Sequence, residues 1–341
     1  MRSLDGLSRP GVPVMDVPDE RFTDGTNCQV GWSLVSDTVV VIGNFDGVHP
    51  GHREVLAEAR ALRPNLPLVV VTFWPHPVSV LRPDVGPMLL TSLDERITLL
   101  EQAGADRVEV VDFTPAFAEL SPEEFVTEVV LPLQPSLIVV GENFRFGHRA
   151  AGNVQTLREL GAGRFAVQGL RLVRLGDEDT CSSLIRLAVV RGDVEHAAEH
   201  LGRLFRFSGV VTHGDHRGRE LGFPTANLPV PDLLACPADG VYAGWLFRLD
   251  GRDAHGELLP EGEAPARWPA AISVGTNPTF DGVQRRVESY VLGRSDLELY
   301  GAPIGVDFVA RIRGQVRFEG IDPLIDQINA DVRRCHEILG T

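Results

Sequence analysis

From Val39 onward, short and largely apolar stretches alternate with amphipathic ones, and this alternation restricts the fold more than any other feature. "TVVVIG", "LPLVVVTF", "RVEVVDF" and "PSLIVVG" read as four buried strands. Between them, "GHREVLAEARAL" carries Val55, Leu56, Ala59 and Leu62 at helical spacing. "SLDERITLLEQAG" has a helix start at Ser92 and a glycine stop at Gly104. "SPEEFVTEVVLPL" opens with a Ser cap, a Pro in the first helical position and two Glu in the first turn. Strands of this kind alternating with helices form a parallel sheet covered on both faces.

The pattern changes after Phe205. "CSSLIRLAVVRGDVEHAAEHLGRLF" is helical in two pieces around Gly192. "RFSGVVTHG", "VYAGWLFRL", "PAAISVG", "RRVESYVLG" and "IGVDFVARIRGQVRF" are short strands bounded by Gly, Pro, Asn and Asp. They predict a mostly antiparallel barrel or sandwich, followed by an amphipathic helix over roughly 323–339. A chain of 341 residues is long enough for two such domains. We expect an α/β domain at 36–190 and a β-barrel domain with its C-terminal helix at 191–341. Residues 1–35, rich in Gly, Pro, Asp and Ser, are expected to be a mobile leader.

Charge narrows the function. The net charge of −15 argues against a surface that coats nucleic acid, though not against an anion in a local pocket. All 32 basic residues of the Lys+Arg count are Arg. A chain without Lys has no Walker A loop and no Schiff-base nucleophile. Phosphate handling then falls to Arg, His, backbone N–H groups or a metal. Cys28, Cys181, Cys236 and Cys335 are widely spaced, which fits reduced thiols in a cytoplasm better than a zinc site or disulfides. No apolar run approaches the roughly 18 residues of a membrane span, and no signal peptide is recognisable.

The first candidate site is "VIGNFDGVHPGHREVL". A strand ends at Gly43 and a helix begins near Pro50 or Gly51. In an open parallel sheet, ligands bind at the carboxyl ends of strands, where a helix N-terminus offers free N–H groups to an anion. His49 and His52 flank that place, and Gly51 admits a phosphate to the backbone. A zinc reading is weaker, because His-x-x-His has neither its general-base Glu nor a third ligand nearby.

"GNFDGVHPGH" resembles the His-x-Gly-His signature of the adenylyltransferase superfamily, and within it the bacterial bifunctional riboflavin kinase/FAD synthetase family. "TFWPHPVSVL", "VGENFRFGHRAAGN" and "CSSLIRLAVVRGDVEHAAEHLGR" follow in the family's order. The resemblance implies a Rossmann-like nucleotidyltransferase domain. In it His49 and His52 contact the ATP phosphates, and Ser182, Ser183 and Arg186 form a second nucleotide motif. Gly43, Phe45, Gly51 and Asn143 would line the nucleotide and flavin cleft. The chain departs from the family at Leu184, usually Thr, and at His148 and Arg149, where many members carry Lys.

The second candidate site is "SGVVTHGDHRGRELGFPTANL", with Gly214, Gly218 and Gly222 ahead of "FPTAN". In an extended segment Thr225 and Asn227 point to one face, and their oxygens suit Mg²⁺ carried with ATP. Glu288 in "VESYVL" is placed to accept a proton from a hydroxyl if it lies inside the barrel mouth. These segments, with "GVYAGW", "ISVGTNPTF" and "ELYG", resemble the riboflavin kinase barrel. By that resemblance Thr225 and Asn227 bind metal and phosphates, Glu288 deprotonates the ribityl 5′-hydroxyl, and the loop from Gly214 to Gly222 covers the nucleotide. The implied reactions are riboflavin plus ATP to FMN, then FMN plus ATP to FAD and pyrophosphate, with Mg²⁺ and with ATP and flavins as partners. Weak self-association is compatible with the sequence. Two rival readings stay open here: a kinase whose first domain is idle, and a flavin-binding protein without turnover.

Overall fold

The structure is a computed structural model that describes residues 37–171, 174–175, 178–179, 181–213, 222–260, 262–279 and 282–341. The expected leader, Gly214 and Gly218 lie outside the described residues.

Five parallel strands build the first sheet: β1 (Thr38–Ile42), β2 (Leu68–Trp74), β3 (Arg107–Asp112), β4 (Pro135–Gly141) and β5 (Ala166–Leu170). Their spatial order is β3-β2-β1-β4-β5. The chain runs outward from β1 on one side, then crosses to β4 on the other. The switch therefore lies between β1 and β4, where an open sheet of this kind leaves a crevice at its carboxyl edge. Val39 and Val41 face one apolar layer with Leu56 and Leu100. Val40 and Ile42 face the other with Phe125 and Leu157. The central strands are buried on both sides, which is why they carry no polar alternation. β3 is an edge strand and is half-exposed. β5 and a short helix at Val154–Leu160 were not expected from the sequence, because neither has a long apolar run.

Local signals set the helix ends. α1 (Pro50–Leu62) starts with Pro in its first turn and buries Leu56 and Ala59, while Leu62 is exposed. α2 spans Pro77–Leu81. α3 (Leu93–Gln102) is capped by the Ser92 hydroxyl, which accepts from the Glu95 N–H. Ser121 and Glu124 form a reciprocal capping box on α4 (Pro122–Phe125). With α5 as the Val154–Leu160 helix, α6 (Ser182–Arg191) ends at Gly192 in the left-handed conformation, and α7 (Val194–Leu201) follows.

The second sheet is antiparallel. It holds β6 (Phe205–Val210), β7 (Thr225–Pro229), β8 (Gly240–Arg248), β9 (Trp268–Thr279), β10 (Gly282–Val291) and β11 (Pro303–Arg313), in the order β6-β11-β8-β9-β10-β7. The two outermost strands meet where Thr212, just after β6, bridges Asn227 on β7. The sheet thus curls into a barrel and leaves little free edge. Phe205, Leu228, Tyr242, Ile272, Val287 and Phe308 fill its interior. α8 (Ile321–Leu339) lies outside, with Val332, Cys335 and Leu339 against Ala243, Ala271 and Tyr290. Arg313 pins it by gripping Asp331 at 2.6–3.0 Å.

The two halves share apolar contacts. Leu90 from the first half and Ile185, Val189, Ala197 and Leu201 from α6 and α7 belong to the same buried cluster as the barrel interior. Leu89 pairs with the barrel segment at Leu233–Ala235 through two backbone hydrogen bonds of 2.6 and 2.8 Å.

Candidate functional sites

The turn from β1 into α1 is tightly folded. Phe45 and Gly47 both have positive φ (51° and 82°). At Gly43 an added Cβ would lie 2.9 Å from the Phe45 ring, so a larger residue there would displace the ring. Phe45 is buried and lies edge-to-face with His52, centroids 5.2 Å apart. His49 occupies the N-cap of α1 and its side chain makes no cap bond. The His49 and His52 rings stack, and the Nδ1 atoms of both are buried without a partner. A buried polar atom left unpaired is costly, and such atoms mark places where a ligand completes the structure.

Both imidazoles are neutral near pH 7. Burial brings His49 down to about 4; Asp46 opposes this, while Arg203 and Arg53 add to it. Burial also holds His52 well below its usual value, with His49, Arg96 and Arg203 acting in the same direction. Each ring can therefore donate one N–H without bringing a charge of its own.

Positive charge comes from arginine instead. Arg96, wholly buried on α3, places Nη2 3.4 Å from Asp46 Oδ1. Arg186 on α6 places Nη2 3.0 Å from Asp46 Oδ2. One carboxylate thus faces two guanidinium groups, and the Nε atoms of both are buried and unpaired. Arg53 donates to the Leu201 carbonyl at 3.1 Å, and burial brings Arg203 down to about 10 although Glu95 opposes it. In an acidic molecule this is a local cationic site, suited to an anion with several oxygens.

Ser182 and Arg186 stand one turn apart on α6 and face the same place. The Ser182 hydroxyl donates to the Asp46 carbonyl at 2.8 Å. Ser183 is exposed, and Leu184 is half-buried. Asn143 is exposed beyond the end of β4, with its Oδ1 2.9 Å from where a Cβ on Gly141 would sit. His49, His52, Ser182 and Arg186 therefore converge on the carboxyl edge of β1, and Asn143 stands beyond the neighbouring β4. Sequence reasoning passed over Asp46, His76, Arg96 and Arg203. His76 is buried and caps α2 by accepting from the Val78 N–H at 3.2 Å. Asp46 inside "FDG", His76 inside "TFWPHPVSVL" and Arg203 at the end of "CSSLIRLAVVRGDVEHAAEHLGR" lay in stretches already singled out, but none was given a role, and Arg96 was read only as part of a helix.

On the barrel, Thr225 and Asn227 share a face, as period-two alternation requires. Asn227 Nδ2 donates to the Thr225 carbonyl at 3.1 Å and to its hydroxyl at 3.3 Å. The amide nitrogen is thereby committed, and Asn227 Oδ1 points elsewhere. Asn227 stands directly across from Glu288 on β10, and Glu288 directly across from Ser273 on β9. Directly opposed residues lie on the same face of a sheet. Val287 and Val291 belong to the barrel interior, so strand alternation puts Glu288 and its neighbours on the other face rather than inside the barrel as expected. That face continues to Tyr290, which packs under α8. Gln315 reaches the Ser273 hydroxyl at 3.3 Å. Gly222, ahead of β7, turns with φ of 87°, which glycine adopts without strain.

A hard cation fits this pair only with help. Asn227 Oδ1 and the Thr225 hydroxyl are oxygen donors of the right kind, but two neutral oxygens do not hold Mg²⁺ alone. Among the described residues no group of three or more His, Cys, Asp and Glu is arranged for a metal. The donor set therefore fits a cation that arrives already bound to phosphates.

Comparison with known proteins finds two families along the chain. Residues 33–184 match the family described as FAD synthetase, and residues 201–339 the family described as riboflavin kinase. The bifunctional riboflavin kinase/FMN adenylyltransferase of Bacillus subtilis (strain 168) is 34% identical over 299 residues, covering 86% of this chain and 90% of that protein. Its counterpart from Escherichia coli (strain K12) is 34% identical over 306 residues, covering 89% and 93%. Among solved structures, a Streptococcus pneumoniae protein named as a macrolide-efflux protein superimposes with a TM-score of 0.76 at 31% identity, covering 90% of this chain and 96% of that one. Among the described residues here, no helix is long and apolar enough to cross a membrane.

Proposed function

The chain belongs to the bifunctional riboflavin kinase/FMN adenylyltransferase family, and from that premise we propose that it makes FAD in two steps at two separate sites. The first phosphorylates riboflavin to FMN on the barrel. The second adenylylates FMN to FAD at the carboxyl edge of the parallel sheet and releases pyrophosphate. The observation that carries this reading is the presence of both family matches on one chain. We place the boundary between the α/β and barrel domains near residues 190 and 191.

In the adenylyl step the protein's task is to orient a triphosphate and stabilise charge as pyrophosphate leaves. We assign the neutral His49 and His52 to donate hydrogen bonds to phosphate oxygens. Their buried, unpaired Nδ1 atoms support this. Arg186 and the Ser182–Ser183 turn supply charge and further donors, and Gly51 leaves the helix N-terminus accessible. Gly43 and Phe45 shape the turn that carries the histidines, and Asn143 borders the cleft.

In the kinase step Glu288 takes the proton of the ribityl 5′-hydroxyl as that oxygen attacks the γ-phosphate of ATP. Its support is the place of Glu288 across the ladder from Asn227. Thr225 and Asn227 would hold Mg²⁺ through their oxygens. When bound with ATP, the ion neutralises phosphate charge and fixes the triphosphate. Gly222, just ahead of Thr225, is assigned to the nucleotide side of this site.

The test is chromatography of two incubations with ATP and Mg²⁺, one given riboflavin and one given FMN. FAD in both supports two working sites. FMN without FAD from riboflavin, together with no product from FMN, would leave the first domain idle and make Leu184 the first suspect. No conversion in either would refute the enzyme reading.

A further inference from the structure

The least explained group in the first site is the Asp46 carboxylate, which is 2% exposed. Its lone pairs are fully used. Oδ1 accepts from the Leu90 N–H at 3.0 Å, from the Thr91 N–H and hydroxyl at 3.3 Å each, and from Arg96 at 3.4 Å. Oδ2 accepts from the Leu90 N–H at 3.1 Å and from Arg186 at 3.0 Å. A carboxylate occupied in this way has no oxygen left for a cation or a substrate proton. It is neither a metal ligand nor a base.

What it does hold is α6. Ser182 is fastened to the Asp46 carbonyl and Arg186 to its side chain, so both residues that α6 turns toward the site rest on Asp46. The bond to Arg186 uses Nη2 and leaves the buried Nε unpaired. A guanidinium is a planar fork, so fixing one corner fixes the direction of the remaining N–H groups.

We propose that Asp46 is a positioning residue for adenylyl transfer: it anchors Arg186 through Nη2 so that the Nε edge is held toward the phosphate oxygens of the nucleotide. This rests on the assignment of Arg186 to the triphosphate. Asp46 also leaves the site cationic, because its single negative charge is shared between Arg96 and Arg186. Misplacing a phosphate-orienting group by about 1 Å costs on the order of 10²-fold in rate.

The experiment is a double-mutant cycle on FAD formation from FMN, with FMN formation from riboflavin measured on the same protein as the folding control. Asp46→Asn is expected to lower kcat for FAD formation by roughly 10²-fold, with a smaller change in KM for ATP and no change in the kinase rate. In an Arg186→Gln background, Asp46→Asn should cost little more, since it acts through the missing side chain. If Arg186→Gln slows the reaction and Asp46→Asn slows it again by its full factor, the positioning role is overturned while the site assignment stands. If Arg186→Gln leaves the rate unchanged, the assignment and the proposal fall together.

Asp46→Asn leaves two buried cations short of their counter-ion, so it can lower the kinase rate by unfolding the chain. Asp46→Glu keeps the charge and moves it by one methylene. It is expected to retain the kinase rate and to lose roughly 10-fold in FAD formation. A full FAD rate in Asp46→Glu, with the kinase rate intact, would overturn the proposal.

Discussion

The imidazole rings of His49 and His52 lie nearly parallel, with centroids 3.7 Å apart and planes 24° from one another. Two protonated rings at that distance would repel strongly, and burial alone already disfavours the charge. Burial brings His49 to about 4, against 6.5 for a free imidazole. The unfolded chain therefore gains a proton as pH falls through 6.5, while the folded chain gains it only near 4. Between those values the unfolded state binds more protons, so stability rises with pH from about 4 to 6.5 and is level above. His49→Gln should flatten that slope. Urea midpoints at pH 4.5 and 7.5 check this; an unchanged slope would show that His49 ionises freely.

Glu95 behaves in the opposite sense. It lies half-buried on α3, close to Arg203, Arg206 and Asp307 of the barrel half. Burial raises its pKa to about 7 from 4.5, against the pull of Arg203 and Arg206. The folded state then binds the extra proton between those values, so stability falls as pH rises from 4.5 to 7. Gln copies the protonated form. Glu95→Gln should change little at pH 5 and stabilise at pH 8 by on the order of 1–2 kcal/mol, after allowance for partial solvent screening. Thermal unfolding at the two pH values decides it, and a loss of stability at pH 8 would mean the pairing with Arg203 outweighs burial.

Glu288→Gln keeps the shape of the face it shares with Asn227 and removes its basicity. FMN formation should drop by roughly 10²-fold or more, while FAD formation from supplied FMN persists. Steady-state rates of the two half-reactions test this. An unchanged kinase rate removes Glu288 from the role of base.

Asn227→Ala removes one oxygen donor and leaves the Thr225 hydroxyl without its partner. The kinase reaction should slow and should need more Mg²⁺ to reach half its maximal rate. A Mg²⁺ titration reads this directly. Slowing at every Mg²⁺ concentration with an unaltered midpoint would point to packing rather than metal binding.

Local signals in the sequence were enough for much of the fold. The caps at Ser92 and Ser121, the stop at Gly192 and the doubly buried valines of β1 and β2 depend on neighbours within a few residues. The Thr225–Asn227 face was legible for the same reason, as was the placing of His49 and His52 at one helix start. The pairing of Asn227 with Glu288 was not, because strand register is set by residues 61 positions apart in the ladder. Asp46 is the clearest case. Its partners Leu90, Thr91 and Arg96 lie 44 to 50 residues away and Arg186 lies 140 away. An aspartate in a turn reads as a solvated cap until those segments are brought together. Leu90 in the barrel's apolar cluster was hidden likewise, since nothing near it distinguishes one core from another.

The central claim is that two sites divide the work. Its most direct test mixes two proteins, one carrying Glu288→Gln and the other His49→Ala with His52→Ala, each supplied with riboflavin, ATP and Mg²⁺. Alone, the first should form flavin nucleotides at no more than about a hundredth of the normal rate and the second should make FMN without FAD. Together they should make FAD far faster than the first alone, as FMN released by one protein reaches the other. FAD at the normal rate from either variant alone, or no gain from the mixture, would contradict the division.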